Sequence, residues 1–308
     1  MENNRLESAS ATVEVLLIGE RLPTNEQAIA AADSLCRLTR VSDVARALAT
    51  LQSGTLLPAL IVVAQNWPGQ VSASDIDRLQ AAAPLARICG LLGSWCEGEA
   101  RSGKPWPGAI RCYWHQWPAR FHREIAAMVA GRSSVWSLPP TASAEEQLLS
   151  AVPLCPPKQH GLLAIIAENA ETAATLADSA QMRGYETVAL RSPRGAQISG
   201  AVAALWDARA ELVASPALVS EILAAVEGAP LIALVSFPRA DVVARAKAAG
   251  VSAIVSKPLL LTDLFWQVEQ LTQPGCLKEP HCRTKPDCQT EPKPREGQST
   301  SRPQRKRL

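Results

Sequence analysis

The chain has 308 residues, 47% of them apolar, a formal net charge of +2 and eight cysteines. That length suits about two domains with real cores, and no apolar run approaches the ~18 residues of a membrane span. No charged-then-apolar leader is seen, so the chain is expected to be cytoplasmic, with free thiols rather than a disulfide framework.

The first half opens on a loose polar segment, followed by VEVLLI (Val13 to Ile18), an apolar run of strand length that ends at Gly19-Glu20. NEQAIAAADSL reads as a helix opened by Asn25, and Cys36 to Val41 as a short strand. Ser42 is the expected cap of SDVARALATL, whose Val44, Leu48 and Leu51 share a face. ALIVV (59–63) is too apolar and too short for anything but a buried strand. SDIDRLQAAA adds a third helix and ICGLL a fourth strand. The rhythm then breaks in a stretch rich in Gly, Pro and Trp that returns to a helix near residue 120.

Residues 131–160 hold five prolines and suit a linker. Beyond them the alternation restarts: LLAII, ETVAL, AVAAL, LIALVS and AIVSK read as strands, separated mostly by helical runs. Ten residues, RSPRGAQISG, separate the second and third of these strands, too few for a comfortable helix. The fold class predicted for both halves is α/β: two flavodoxin-like, doubly wound parallel sheets in tandem, strand order 2-1-3-4-5. The predicted domains are 12–130 and 161–273, joined by the 131–160 linker and followed by a disordered tail, 274–308.

The block from Ala249 to Pro258, followed by LLLTDLFWQVEQL, reads as a buried strand, a Lys257-Pro258 corner, and an amphipathic helix that Thr262 and Asp263 can cap. It resembles the last strand and helix of a response-regulator receiver domain. The resemblance implies a Lys-Pro bond that is usually cis, a phosphoacceptor at Asp207, a mobile hydroxyl at Ser236 and a counter-charge at Lys257. It also implies Mg²⁺ held by Glu168 and Asp207, because a hard cation offsets the phosphoryl charge while the carboxylate attacks. The chain departs from the family in three places. Ala167 replaces one of two adjacent acids, ARAELVAS replaces the Met-Pro turn after the acceptor, and Ile254 stands where the switch aromatic would be.

The first domain resembles the same family more faintly. Counting back from Pro68 puts Ala64 at the acceptor position, and Trp117, before Pro118, takes the Lys place. It reads as a pseudo-receiver that takes no phosphoryl group. The resemblance implies a signalling role through protein partners, a histidine kinase among them, rather than an enzyme. No DNA-binding domain is recognisable. Two alternatives stay open: an α/β enzyme or small-ligand binder using the strand-end site, and a non-switching scaffold.

Other constellations are weaker. Trp95, Trp106, Tyr113, Trp114 and Trp117 form either a partner surface or an aromatic core under an irregular loop. Cys89, Cys96, Cys112 and His115 fit no familiar zinc spacing. The tail carries four Pro-initiated hexapeptides, three of them with Cys third, and nine Lys/Arg against four Asp/Glu, a composition of disorder with a small basic end.

Overall fold

The computed structural model describes residues 12–20, 29, 35–99, 103–132, 134–139, 141–143, 145–146, 150 and 159–272. Most of the expected helix at residues 25–35, much of the linker and the whole hexapeptide tail lie outside the described residues.

Two five-stranded parallel sheets carry the architecture. The first contains β1 (Glu14–Ile18), β2 (Arg37–Val41), β3 (Leu60–Gln65), β4 (Arg87–Leu92) and β5 (Ile110–Tyr113), in the order β2-β1-β3-β4-β5. The second contains β6 (Leu162–Ile166), β7 (Glu186–Leu190), β8 (Ala201–Asp207), β9 (Leu231–Ser236) and β10 (Ala253–Lys257), in the order β10-β9-β8-β6-β7. Read from β7, this is again 2-1-3-4-5, so both halves are flavodoxin-like. The central strands are near-continuous apolar runs because helices cover both faces; every residue of β3 is buried.

The described helices of the first sheet are α1 (Val44–Gln52), α2 (Ala73–Ala82) and α3 (Trp117–Val129). Those of the second are α4 (Ala170–Gln181), α5 (Pro216–Ala225), α6 (Ala240–Ala249) and α7 (Leu261–Thr272). Their starts follow from local chemistry. Asn169 caps α4 by accepting from the amides of Glu171 and Thr172, and Pro216 opens α5 where its missing N–H costs nothing. At α1 the cap is Asp43, not the expected Ser42: Asp43 accepts from the Arg46 amide, and the Ser42 hydroxyl donates to Asp43. A carboxylate satisfies an orphan amide at a helix N-terminus better than a hydroxyl, and Ser42 becomes its support.

Each sheet has a separate apolar layer on either face. In the second domain, Ile165, Leu205 and Leu234 pack under Leu264, Phe265 and Val268 of α7, while Ile166, Trp206 and Val235 face α5 and α6. In the first, Trp117, Phe121 and Trp136 stack together at 4.7 to 6.3 Å between ring centroids and close one face. The Trp-rich stretch is therefore divided in its roles: Trp106 and Trp117 are core, whereas Trp95 is 78% exposed. Cys36, Cys89, Cys96 and Cys112 are buried.

The two domains meet through the helices that end their sheets. Arg120 and Arg123 of α3 both grip Asp263 of α7, at 3.0 and 2.6 Å, and the Trp266 indole N–H donates to His122 Nδ1 at 3.4 Å. No described helix is long and apolar enough to cross a membrane.

Candidate functional site

All strands of the second sheet are parallel, so their C-terminal ends share one edge, and four residues of interest stand there. Asp207 is the last residue of β8 and Lys257 the last of β10, with β9 between them. The lysine spans that strand and donates from Nζ to Asp207 Oδ1 at 2.5 Å. The pair is only partly screened from solvent: the Lys257 side chain is 31% exposed and that of Asp207 19%. The Lys257–Pro258 peptide is cis.

Ser236 ends β9, is exposed, and lies in register with Lys257. Phe237 after it has φ +47°, a left-handed conformation that costs a bulky residue of order 1–3 kcal/mol, and its ring is largely exposed. Glu168 follows β6 and Ala167. It is held by Arg209, two residues beyond Asp207, through Nη2 to Oε2 at 2.5 Å. The Arg191 guanidinium donates to the Glu168 carbonyl at 3.5 Å. Sequence reasoning passed over both arginines. Arg209 lies in the segment that departs from the family pattern and Arg191 in the short β7–β8 connection, so no motif singled them out.

These residues give a direct test of fit for the divalent cation that the receiver resemblance implies. Ala167, buried at 1% exposure, supplies no oxygen from its side chain. Glu168 is paired with a guanidinium in an exposed ion pair, and Asp207 with an ammonium. Among the described residues, no three His, Cys, Asp or Glu side chains gather as a metal cluster. The edge therefore offers a hard cation two carboxylates, each in an ion pair, one acid fewer than the resemblance implies.

The same edge of the first sheet has been filled in. Strand register equates Gly19 and Ala64 with Ala167 and Asp207, because Ile18 pairs with Val63 as Ile166 pairs with Trp206. A Cβ on Gly19 would lie 2.9 Å from the Ala64 Cβ, and Gly19 has φ +128°. There is no room for an acid there. Further along, Ala64 pairs with Leu91 and Leu91 with Cys112, as Asp207 pairs with Leu234 and Leu234 with Val255. Two residues on, Trp114 stands opposite Lys257's place. This corrects the assignment of that place to Trp117, which is instead the first residue of α3 and fully buried. Strand β5, only four residues long amid Gly and Trp, carries too little pattern to fix the count from sequence. The first edge holds a buried polar network, with Gln65 donating to Glu99 at 3.3 Å and Arg111 to Glu99 at 2.9 Å.

Comparison with known proteins adds the following. No family model matches the chain, and no curated protein matches it. Among solved structures, it resembles a protein described as a two-component system response regulator/GGDEF domain protein, at 10% identity and TM-score 0.32, covering 85% of this chain and 99% of that one. It also resembles the E. coli RcsC C-terminus, containing a linker region and a phosphoreceiver domain, at 13% identity and TM-score 0.32, covering 86% and 95%. A D-isomer specific 2-hydroxyacid dehydrogenase from Lactobacillus delbrueckii ssp. bulgaricus aligns at 10% identity and TM-score 0.24, covering 85% and 95%. At such values none of them carries function to this chain.

Proposed function

We propose that this protein is a receiver-like signalling protein that acts through protein–protein contacts, with Asp207 of the second domain as phosphoacceptor and the first domain a pseudo-receiver unable to take a phosphoryl group. The observation that carries the reading is the Lys257–Asp207 contact, made across β9 at the carboxyl edge of a 2-1-3-4-5 sheet. A carboxylate at a strand end, with an ammonium on one oxygen and no partner on the other among the described residues, suits attack on phosphorus with the new charge offset. Gly19 packed against Ala64 supports the inert role of the first domain.

The output of such a protein is a shape. Ser236 and Phe237 lie one strand from Lys257, and Asp263, which joins the domains, is six residues beyond it. A charge change at Asp207 would bias both regions. A histidine kinase is the natural donor under this reading, and any downstream partner would bind the exposed edge.

The rival reading, a ligand-binding or enzymatic site at the same edge, is favoured by a cavity beside Asp207. Its volume, about 200 Å³, is below the ~300–1,000 Å³ usual for such sites. Incubation with acetyl phosphate followed by intact-mass measurement separates the two. The signalling reading expects an added phosphate that an Asp207→Asn variant lacks, and an unmodified wild-type chain would refute it.

A further inference from the structure

Residues 191–200, which join β7 to β8, form turns and no helix. Ile198 of this connection packs on the sheet, and beside the connection lies a cavity of about 200 Å³ with the buried Ile166 and Trp206 in its wall. The cavity lies where the strand order reverses, between β6 and β8, the crevice at which open α/β sheets bind their ligands. Asp207 and Glu168 line it, and so do three arginines, Arg191, Arg194 and Arg209.

We propose that this crevice is an arginine-lined oxyanion site. In it Arg209 and Arg191, with Lys257, hold the terminal oxygens of a phosphoryl group on Asp207, supplying from the chain the positive charge that a divalent cation would otherwise bring. The inference rests on Asp207 being the phosphoacceptor.

Four observations support it. Lys257 occupies Oδ1 of Asp207, which leaves Oδ2 as the attacking atom. Arg209 follows Asp207 by two residues, and its guanidinium already sits on the Glu168 carboxylate at 2.5 Å, an anion beside the crevice. Both side chains of that pair are 67% exposed, so moving the guanidinium from a screened carboxylate to a phosphoryl dianion costs little. Arg191 has no carboxylate partner among the described residues and reaches the carbonyl of Glu168 at 3.5 Å, and Ala167 removes the acid that would compete for either guanidinium. The planar guanidinium fork matches phosphate oxygens two at a time, which an ammonium cannot do.

The covalent step balances without a metal. Asp207 Oδ2 attacks the phosphorus of an acyl phosphate, and the new O–P bond forms as the bond from phosphorus to the acyl oxygen breaks. That oxygen leaves with the electron pair as a free carboxylate. The phosphoryl group carries its charge into a crevice that holds Arg191, Arg209 and Lys257.

The test treats the full chain with acetyl phosphate in parallel, in excess EDTA and in Mg²⁺, and follows the mass adduct at Asp207. The proposal expects equal labelling in both media. It also expects Arg209→Ala and the Arg191→Ala/Arg209→Ala double variant to lose about tenfold or more of the labelling rate in EDTA, the scale of losing a charge-stabilising donor, with unchanged circular dichroism. Labelling confined to the Mg²⁺ sample, or indifferent to both arginine variants, overturns the proposal and leaves Asp207 as acceptor. No label in either medium removes the phosphoacceptor reading itself, and the proposal with it.

Discussion

Arg123 of the first domain places Nη1 2.6 Å from Oδ1 of Asp263 in the second, and Arg120 takes the other carboxylate oxygen at 3.0 Å. One acid is thus shared by two guanidinium groups of a neighbouring helix, and its side chain is only 9% exposed. An Asp263→Ala substitution leaves two partly buried cations facing each other. It should lower stability by about 2–3 kcal/mol, near the lower end for truncating one member of a buried charge pair. Urea unfolding followed by intrinsic fluorescence should show an earlier midpoint, or two transitions in place of one. An unchanged curve would mean the domains do not depend on this contact.

A pH dependence follows from His122, two residues along the same helix. Burial, and then the charge of Arg123, holds its pKa below the ordinary 6.5. Trp266 donates to its Nδ1, so the neutral ring is the form that fits. As pH falls, the unfolded chain takes up this proton before the folded one does. The His122 contribution is therefore complete above 6.5 and is lost as pH falls through 6.5 toward the lower folded value. Unfolding free energies measured on either side of that pH should drop on acidification, and His122→Asn should flatten the drop. Glu269 shifts the opposite way, since burial raises it above 4.5, so the comparison of variants is what isolates His122.

Glycine at position 19 is required twice over, by φ +128° and by the 2.9 Å approach to Ala64. Gly19→Ala should cost about 1–3 kcal/mol, the range for a strained backbone or an overpacked core. An equally stable variant would show that the first site has space that its geometry denies.

The pattern of the sheets was legible because apolar runs of five or six residues between helical periods leave few alternatives, and the Lys257-Pro258 corner marks a strand end unambiguously. Asp207 and Lys257 could be placed because each closes such a run. What the sequence did not disclose depends on partners far along the chain. Asp263 reads locally as a helix cap, yet it meets arginines 140 and 143 residues away. Glu168 reads as a strand-end acid, and nothing local announces its ion pair with Arg209, 41 residues on. The lysine place in the first domain was miscounted by three because a four-residue strand, β5, has too few residues to establish a period of two.

Thiol chemistry offers another check. Burial drives the Cys89 thiol well above its ordinary range and the Cys112 thiol up to about 12, and Cys36 and Cys96 are also buried. The thiolate is the reactive form, so none of these four should react with a disulfide reagent in the native protein at neutral pH. All four should react in denaturant. Peptide mapping of natively labelled protein would expose any exception.

The most direct measurement of the central claim is the location of phosphate after treatment of the full chain with acetyl phosphate, read by borohydride trapping of the acyl phosphate and peptide mass mapping. The account predicts one modified residue, Asp207, with nothing on the first domain. Modification of a carboxylate in the first domain, or none at Asp207, would contradict it.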